Sequence, residues 1–297
     1  MVERYEVSDN GWAQIEDIVS PPQLMGRPRR DDRQVLNGIF WVLCSGAKWR
    51  DLPERYGPWS TAYERFRKWR DDGTFEAILS RLQLKLREDG LMDLDTWMID
   101  STSVRATRAA AGGGKKGAPE EPLDHALGRS RGGLTTKIHL VCDRHGWPLA
   151  FTLSPGQEAD SRHFISTLES VYLPGNVGRP RKRSRYMVAD KGYDSDELRR
   201  YCDRHGMKPV IAQRNMYRRR RPGLPRRFDK PKYRQRNAVE RCFSWLKELR
   251  RIATRYDKLA SSFRAMVCVA CIDRCLRANF SYKRVGNDSD EILQKAH

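Results

Sequence analysis

Long apolar runs are absent from this 297-residue chain, and a membrane-crossing helix would need about 18 or more consecutive apolar residues. No charged-then-apolar leader follows Met1, which argues against secretion and for a cytoplasmic protein. Cysteine is sparse and odd in number, at seven, which suits no disulfide framework. The tightest group, Cys268, Cys271 and Cys275, has the spacing of one helix face, among Met266, Val267, Val269 and Ile272. That spacing leaves a metal face open, but no histidine sits beside it, and a buried face of small soft side chains fits better. The six histidines (His125, His139, His145, His163, His205 and His297) are not at ligand spacing from one another or from a cysteine, which disfavours a zinc centre. No G-x-x-x-x-G-K-[ST] loop is present, so nothing supports nucleotide hydrolysis.

What the chain has in excess is positive charge: 57 Lys+Arg against 38 Asp+Glu, a net +19. At 39% hydrophobic and 9% aromatic it is too apolar for a disordered basic tail and should fold. The excess is local. Residues 1–99 hold 15 basic and 17 acidic side chains, while 100–297 hold 42 and 21. Residues 179–251 alone carry 25 basic and 8 acidic side chains, peaking at Arg179–Arg185 and again from Arg214 to Arg236 through Arg218, Arg219, Arg220 and Arg221. So concentrated a field attracts a phosphate backbone and makes binding salt-dependent, although a block of merely solvated charge would give the same counts.

The first 92 residues read as helices. A short amphipathic helix over 9–19 ends at Pro21 and Pro22. Asp31 or Asp32 caps a second helix that places Gly46 just past its end, and Thr61 and Glu64 form a capping box for a third, running to about Arg70. On that third helix Tyr63, Phe66 and Trp69 should face inward and Arg65 and Lys68 outward. A fourth helix carries Phe75, Ile78, Leu79, Leu82 and Leu86. Together they suit a helix-turn-helix-like domain with 61–70 as the DNA-contacting helix, though a helical bundle used for dimer contacts shows the same periodicity.

From residue 93 the pattern changes. Thr96–Asp100 reads as a buried strand ending on an acid, and 105–125 as a flexible low-complexity loop. Leu134–Val141 and Leu149–Leu153 form a hairpin, Tyr186–Asp190 is a second strand ending on an acid, and Lys208–Ala212 is a further strand. Helices capped by Asp160 or Ser161 and by Asp194 fall between them. A long helix from about Tyr233 to Arg251, a closing apolar helix over 261–280 and a frayed tail over 281–297 complete an α/β domain with a mixed sheet, spanning 93–280.

Asp100 and Asp190 each follow three apolar residues directly. A carboxylate there costs free energy unless it is paired or binds a metal, and metal ligation is the better reading. A third acid follows from helix geometry: Tyr233, Arg236, Glu240 and Lys247 fall within a stripe of about 60°, beside the apolar sector of Val239, Cys242, Phe243 and Leu246. Glu240 alone would be an ordinary partner of Arg236. As part of the stripe it sits at the core's edge, able to face the two strand acids, with Arg236 and Lys247 flanking it. Three carboxylates so presented suit two Mg²⁺ ions, with Mn²⁺ able to substitute, about 4 Å apart on an in-line phosphoryl displacement.

The segments Met98–Thr102, Gly128–His139, Ala189–Asp194 and the signature Tyr233, Arg236, Glu240, Lys247 resemble the DDE transposases of bacterial insertion sequences, most closely the insertion-sequence-five group, over about residues 10–280. The resemblance implies a ribonuclease-H-like catalytic core with Asp100, Asp190 and Glu240 as its acidic triad, cutting at terminal inverted repeats and joining the freed 3′-OH to target DNA. It also implies a bacterial, nucleoid-associated enzyme that is at least a dimer on double-stranded DNA. Arg236, Lys247, Tyr233 and Lys191, directly after the second acid, are then expected on the DNA backbone. Two readings stay open beside it: a nuclease of this fold that hydrolyses without joining, and a non-enzymatic DNA-binding regulator.

Overall fold

The protein is described by a computed structural model covering residues 5–22, 29–111, 125–175, 177–214 and 228–280. Four core strands follow the expected alternation: β1 (Thr96–Ala106), β3 (Gly133–Asp143), β4 (Pro148–Pro155) and β5 (Tyr186–Ala189). The fifth, β6 (Lys208–Ile211), completes the order β4-β3-β1-β5-β6. β1, β3 and β4 form an antiparallel meander, whereas β5 and β6 run parallel to β1. A three-stranded meander extended by two parallel strands is the ribonuclease-H-like arrangement. Two short strands, β2 (Gly128–Ser130) and β7 (Thr254–Arg255), add to β3 and β1 at the far end and left no mark in the residue pattern.

β1 does not end on its acid. It continues to Ala106, so Asp100 lies mid-strand, and Arg105 and Ala106 belong to the sheet rather than to a loop. The extension exists because β3 pairs with β1 along its whole length, from Trp97 opposite Asp143 to Arg105 opposite Thr135. A helical turn, α6 (Arg108–Ala111), follows with Ala110 buried. The remainder of the expected loop, 112–124, and the tail, 281–297, lie outside the described residues.

Helices precede the sheet: α1 (Asp9–Ala13), α2 (Glu16–Val19), α3 (Asp32–Ser45), α4 (Trp59–Asp71) and α5 (Thr74–Glu88). α3 has the expected ends, with the Asp31 carboxylate accepting the N–H groups of Arg33 and Gln34, and Gly46 left-handed at φ 69° closing the helix. The helix over 9–19 is instead two pieces. α4 starts at Trp59 on Pro58, without the Thr61 capping box. Phe66 and Trp69 are buried as expected, but Arg65 folds back onto the buried Asp32 carboxylate instead of pointing out; Lys68 is exposed.

The later helices are α7 (Phe164–Glu169), α8 (Asp196–Arg204), α9 (Lys230–Arg234), α10 (Asn237–Glu248), α11 (Arg250–Ala253) and α12 (Ala260–Phe280). α12 packs on α5 and α3, and α11 on α3, so one apolar core runs from Val7 to Leu276 through both parts of the chain. Cys268, Cys271 and Cys275 are buried in it as apolar filler. Among the described residues no helix is long and apolar enough to cross a membrane.

Candidate active site

β1 builds the site by being unevenly paired. On the edge away from β3 it bonds β5 only over Thr96–Met98 and β7 only at Arg105 and Ala106, leaving the stretch around Asp100 with an open side. β5 ends at Ala189 beside that opening, so the next residue, Asp190, emerges next to Asp100. The two carboxylates are held differently. Asp100 accepts the Ser101 N–H at 2.8 Å and the Arg236 guanidinium at 2.7 Å, while Asp190 accepts the Gly192 N–H at 2.7 Å and caps a 3₁₀ turn over Lys191–Tyr193. Burial pushes the Asp100 carboxyl up to about 6; the Ser101 N–H and the Arg236 charge offset this only in part, and the nearby Asp190 and Asp160 add to it.

The third acid arrives on α10. Ala238, Val239, Cys242, Phe243 and Leu246 are buried on its inner side, where the helix packs on β1 and β3, and Glu240 stands half exposed at the margin. The expected single helix is broken here: Gln235, Arg236, Ala238 and Val239 each donate three residues back, so α9 passes into α10 through a tight turn with Arg236 at its N-terminal junction. From that junction Arg236 reaches Asp100 and Glu240 at once. One guanidinium therefore stands between two of the three acids. Among the described residues no three Asp, Glu, His or Cys side chains close up tightly enough to hold a metal ion. The donors nevertheless fit one: all three are hard carboxylate oxygens, and two are already bridged by a cation.

Of the remaining expected residues, Lys191, next to Asp190, and Lys247, seven residues beyond Glu240 on α10, are exposed, and Tyr233 is half-buried with its ring 5.0 Å from Phe228. Arg65, paired with Asp32, is turned away from solvent. Arg218, Arg219, Arg220 and Arg221 lie outside the described residues.

Several contributors escaped the sequence reading. Arg214 donates to the carbonyls of Lys191 and Gly192 and offers its N–H to Asp194, pinning the loop that carries Asp190. Asp194 does not cap α8, whose N-cap is Ser195; it forms a buried pair with Arg199. Nor is Asp160 a cap. It takes the Lys137 ammonium at 2.8 Å. Burial alone would raise its carboxyl, but hydrogen bonds from Lys137 and Ser101 outweigh that and hold it below the ordinary range. Tyr193 is buried beneath these acids, and burial followed by the charges of Asp100, Asp160 and Asp190 pushes its phenol far above its usual range. The Lys137–Asp160 pair and the Arg214 clamp were not visible in spacing, because their partners lie 20 to 23 residues apart.

Gly192 is required by close approach: a Cβ there would sit 2.7 Å from an Asp190 carboxylate oxygen. Gly192→Ala should displace Asp190 and lower the cleavage rate at least about tenfold, equivalent to about 1.4 kcal/mol, while the melting temperature stays within a few degrees. An unchanged rate would show that Asp190 tolerates the shift.

Behind the acids, His139 is fully buried, bonded to Ser154 at 2.8 Å and stacked 4.5 Å from His163. Burial, then the charge of His163, lowers its pKa to about 4. Between that value and the unfolded 6.5 the unfolded chain binds more protons, so stability rises with pH across this window and is lost on acidification, by up to about 3 kcal/mol. His139→Gln should flatten that limb in denaturant titrations between pH 4 and 6.5. An equally steep limb would assign it to other groups.

Residues 7–79 match the putative transposase of IS4/5 family and residues 93–272 the transposase DDE domain. The putative transposase for insertion sequence element IS402 of Burkholderia cepacia is 33% identical over 141 residues, covering 47% of this chain and 62% of that one. The putative transposase for insertion sequence element IS6501 of Brucella ovis is 31% identical over 138 residues, 46% of this chain and 95% of that one. The uncharacterized protein y4sN of Sinorhizobium fredii is 37% identical over 106 residues, 35% and 79%. The DDE match takes in β1, β5 and α10 with all three acids, and on that ground the chain belongs to the DDE transposases of bacterial insertion sequences, enzymes of DNA transposition that use divalent metal ions.

Proposed function

We propose that this transposase cuts DNA at the terminal inverted repeats of its own element and transfers the freed 3′-OH into target DNA, with Asp100, Asp190 and Glu240 holding two Mg²⁺ ions. The observation that carries this reading is the open edge of β1, where two strand acids meet and a third, on α10, is tied to the first through one shared guanidinium. Mg²⁺ bound to these oxygens supplies charge stabilisation for the attacking and leaving oxygens of the displacement.

The chain's own groups do the rest. Arg236 must leave Asp100 and Glu240 for those oxygens to serve as ligands, and a DNA phosphate is the natural new partner for its planar fork. Lys191 and Lys247, both exposed, contact the backbone on either side, with Tyr233, Lys68 and the run Arg218–Arg221 as further contacts. The 3₁₀ turn after Asp190, clamped by Arg214, keeps the second carboxylate fixed while DNA binds. Coupled joining needs two element ends together, so a dimer or larger assembly forms on double-stranded DNA.

Pre-cut end DNA with a free 3′-OH, incubated with a target plasmid and Mg²⁺, should yield covalently joined product. Cutting of intact ends with no joining from pre-cut ends would favour a nuclease of this fold, and DNA binding with neither reaction a regulator.

A further inference from the structure

We infer that three cations gathered around Tyr186 form a second binding site for the backbone of duplex DNA, about four base pairs along from the acids; this rests on the reading above that the partner is DNA. Tyr186 opens β5, and Lys208, which opens β6, is its paired neighbour. The Lys208 ammonium stands 5.7 Å from the Tyr186 ring centroid, the Arg185 guanidinium 5.4 Å and the Lys232 ammonium, reaching over from α9, 3.8 Å. Arg185 and Lys208 are exposed and Lys232 half-buried.

Among the described residues none of the three has a carboxylate partner, in contrast to Arg183, Arg199 and Arg251 nearby in sequence, which are paired with Glu169, Asp194 and Asp257. Each cation is drawn to the electron-rich ring. The ring does not neutralise them, however, and three like charges on one side chain leave an uncompensated positive field. A phosphate would compensate it.

Position specifies the ligand further. Tyr186 and Asp190 lie four residues apart along one extended segment and on the same side of it, which at about 3.3 Å per residue separates the cluster from the acids by roughly 13 Å. Duplex DNA advances about 3.4 Å per base pair, so that distance corresponds to about four base pairs. α9 joins the two places: Lys232 points to the cluster, Arg234 is exposed, and Arg236 lies on the acids. The basic field therefore extends from the metal site to the opposite end of β5.

The test uses the full-length protein and duplex DNA carrying the element end. In the Arg185→Ala/Lys208→Ala/Lys232→Ala variant, affinity should fall at least about tenfold in 0.1 M salt. The slope of log K against log salt should become shallower by up to about 2.7, since each lost phosphate contact removes about 0.9. On wild-type protein, acetylation footprinting should show Lys208 and Lys232 protected when DNA is bound, a result that needs no variant to fold. Unchanged slope together with unprotected lysines would overturn the second site. Wild-type protein without salt-dependent duplex binding would instead overturn the DNA reading itself.

Discussion

Asp100→Asn leaves DNA binding intact and lowers both strand cleavage and joining by at least about a thousandfold, equivalent to roughly 4 kcal/mol of transition-state stabilisation. Asn keeps the size of the side chain and can still accept the Ser101 N–H, but it lacks the anionic oxygen that now takes Arg236 and would take the metal. Since burial already pushes this carboxyl up to about 6, and Asp190 and Asp160 add to that, the amide relieves a cost in the metal-free protein. The variant should therefore melt no lower than wild type. Mobility shift, a cleavage assay and a thermal melt separate these effects, and cleavage retained within about tenfold would remove Asp100 from the chemistry.

Arg236→Gln carries the second large effect, and its sign depends on the metal. Without divalent ions, Arg236 is, among the described residues, the one cation paired with both Asp100 and Glu240, and its loss removes that compensation from both carboxylates. Breaking a fully buried pair costs about 3–5 kcal/mol; with Arg236 and Asp100 each 20% exposed the cost should be nearer 1–2 kcal/mol. For a chain of this size that is a drop of about 3–6 °C in melting temperature. Saturating Mg²⁺ takes over the neutralising role, so the deficit should shrink to about 1 °C or less. Cleavage should still fall by about a hundredfold, because the phosphate contact is gone. A deficit of the same size with and without Mg²⁺ would show that Arg236 is only a packing residue and not a place-holder for the metal.

The residue pattern shows the three acids to different degrees. The strand end at Asp190 was legible: three apolar residues run into an acid, with glycine two places on, and β5 does stop at Ala189. Asp100 was legible as a strand acid, but the strand's end was misplaced. The stretch Ser101–Ser103 is polar and precedes a run of alanine and glycine, so it resembles a loop, and only pairing with the eleven-residue β3 carries β1 to Ala106. The place of Glu240 at the margin of the buried face was legible through helical phase, although the helix breaks at Gln235 and Arg236, because the junction keeps Arg236 one turn from Glu240.

Long-range pairing was what the sequence hid. Nothing near Arg65 announces Asp32, 33 residues earlier, and nothing near Asp160 announces Lys137 on β3. Arg214 was indistinguishable from the surrounding arginines until the fold placed it on the Lys191 and Gly192 carbonyls. The basic field also has a finer structure than its net charge suggests. Arg183 and Arg199 are spent on internal pairs, and Arg214 on backbone carbonyls, while Arg185, Lys208 and Lys232 face one ring with no acid between them.

The central claim is that these three acids cut DNA at the ends of the element that encodes them. Incubating the protein with Mg²⁺ and DNA spanning the gene's flanks, then mapping every new 3′ end at nucleotide resolution, tests it most directly. Breaks confined to the borders of the flanking inverted repeats, absent without divalent metal and absent with Asp100→Asn, are the predicted result. Breaks scattered along the DNA, or breaks that persist with Asp100→Asn, would contradict it.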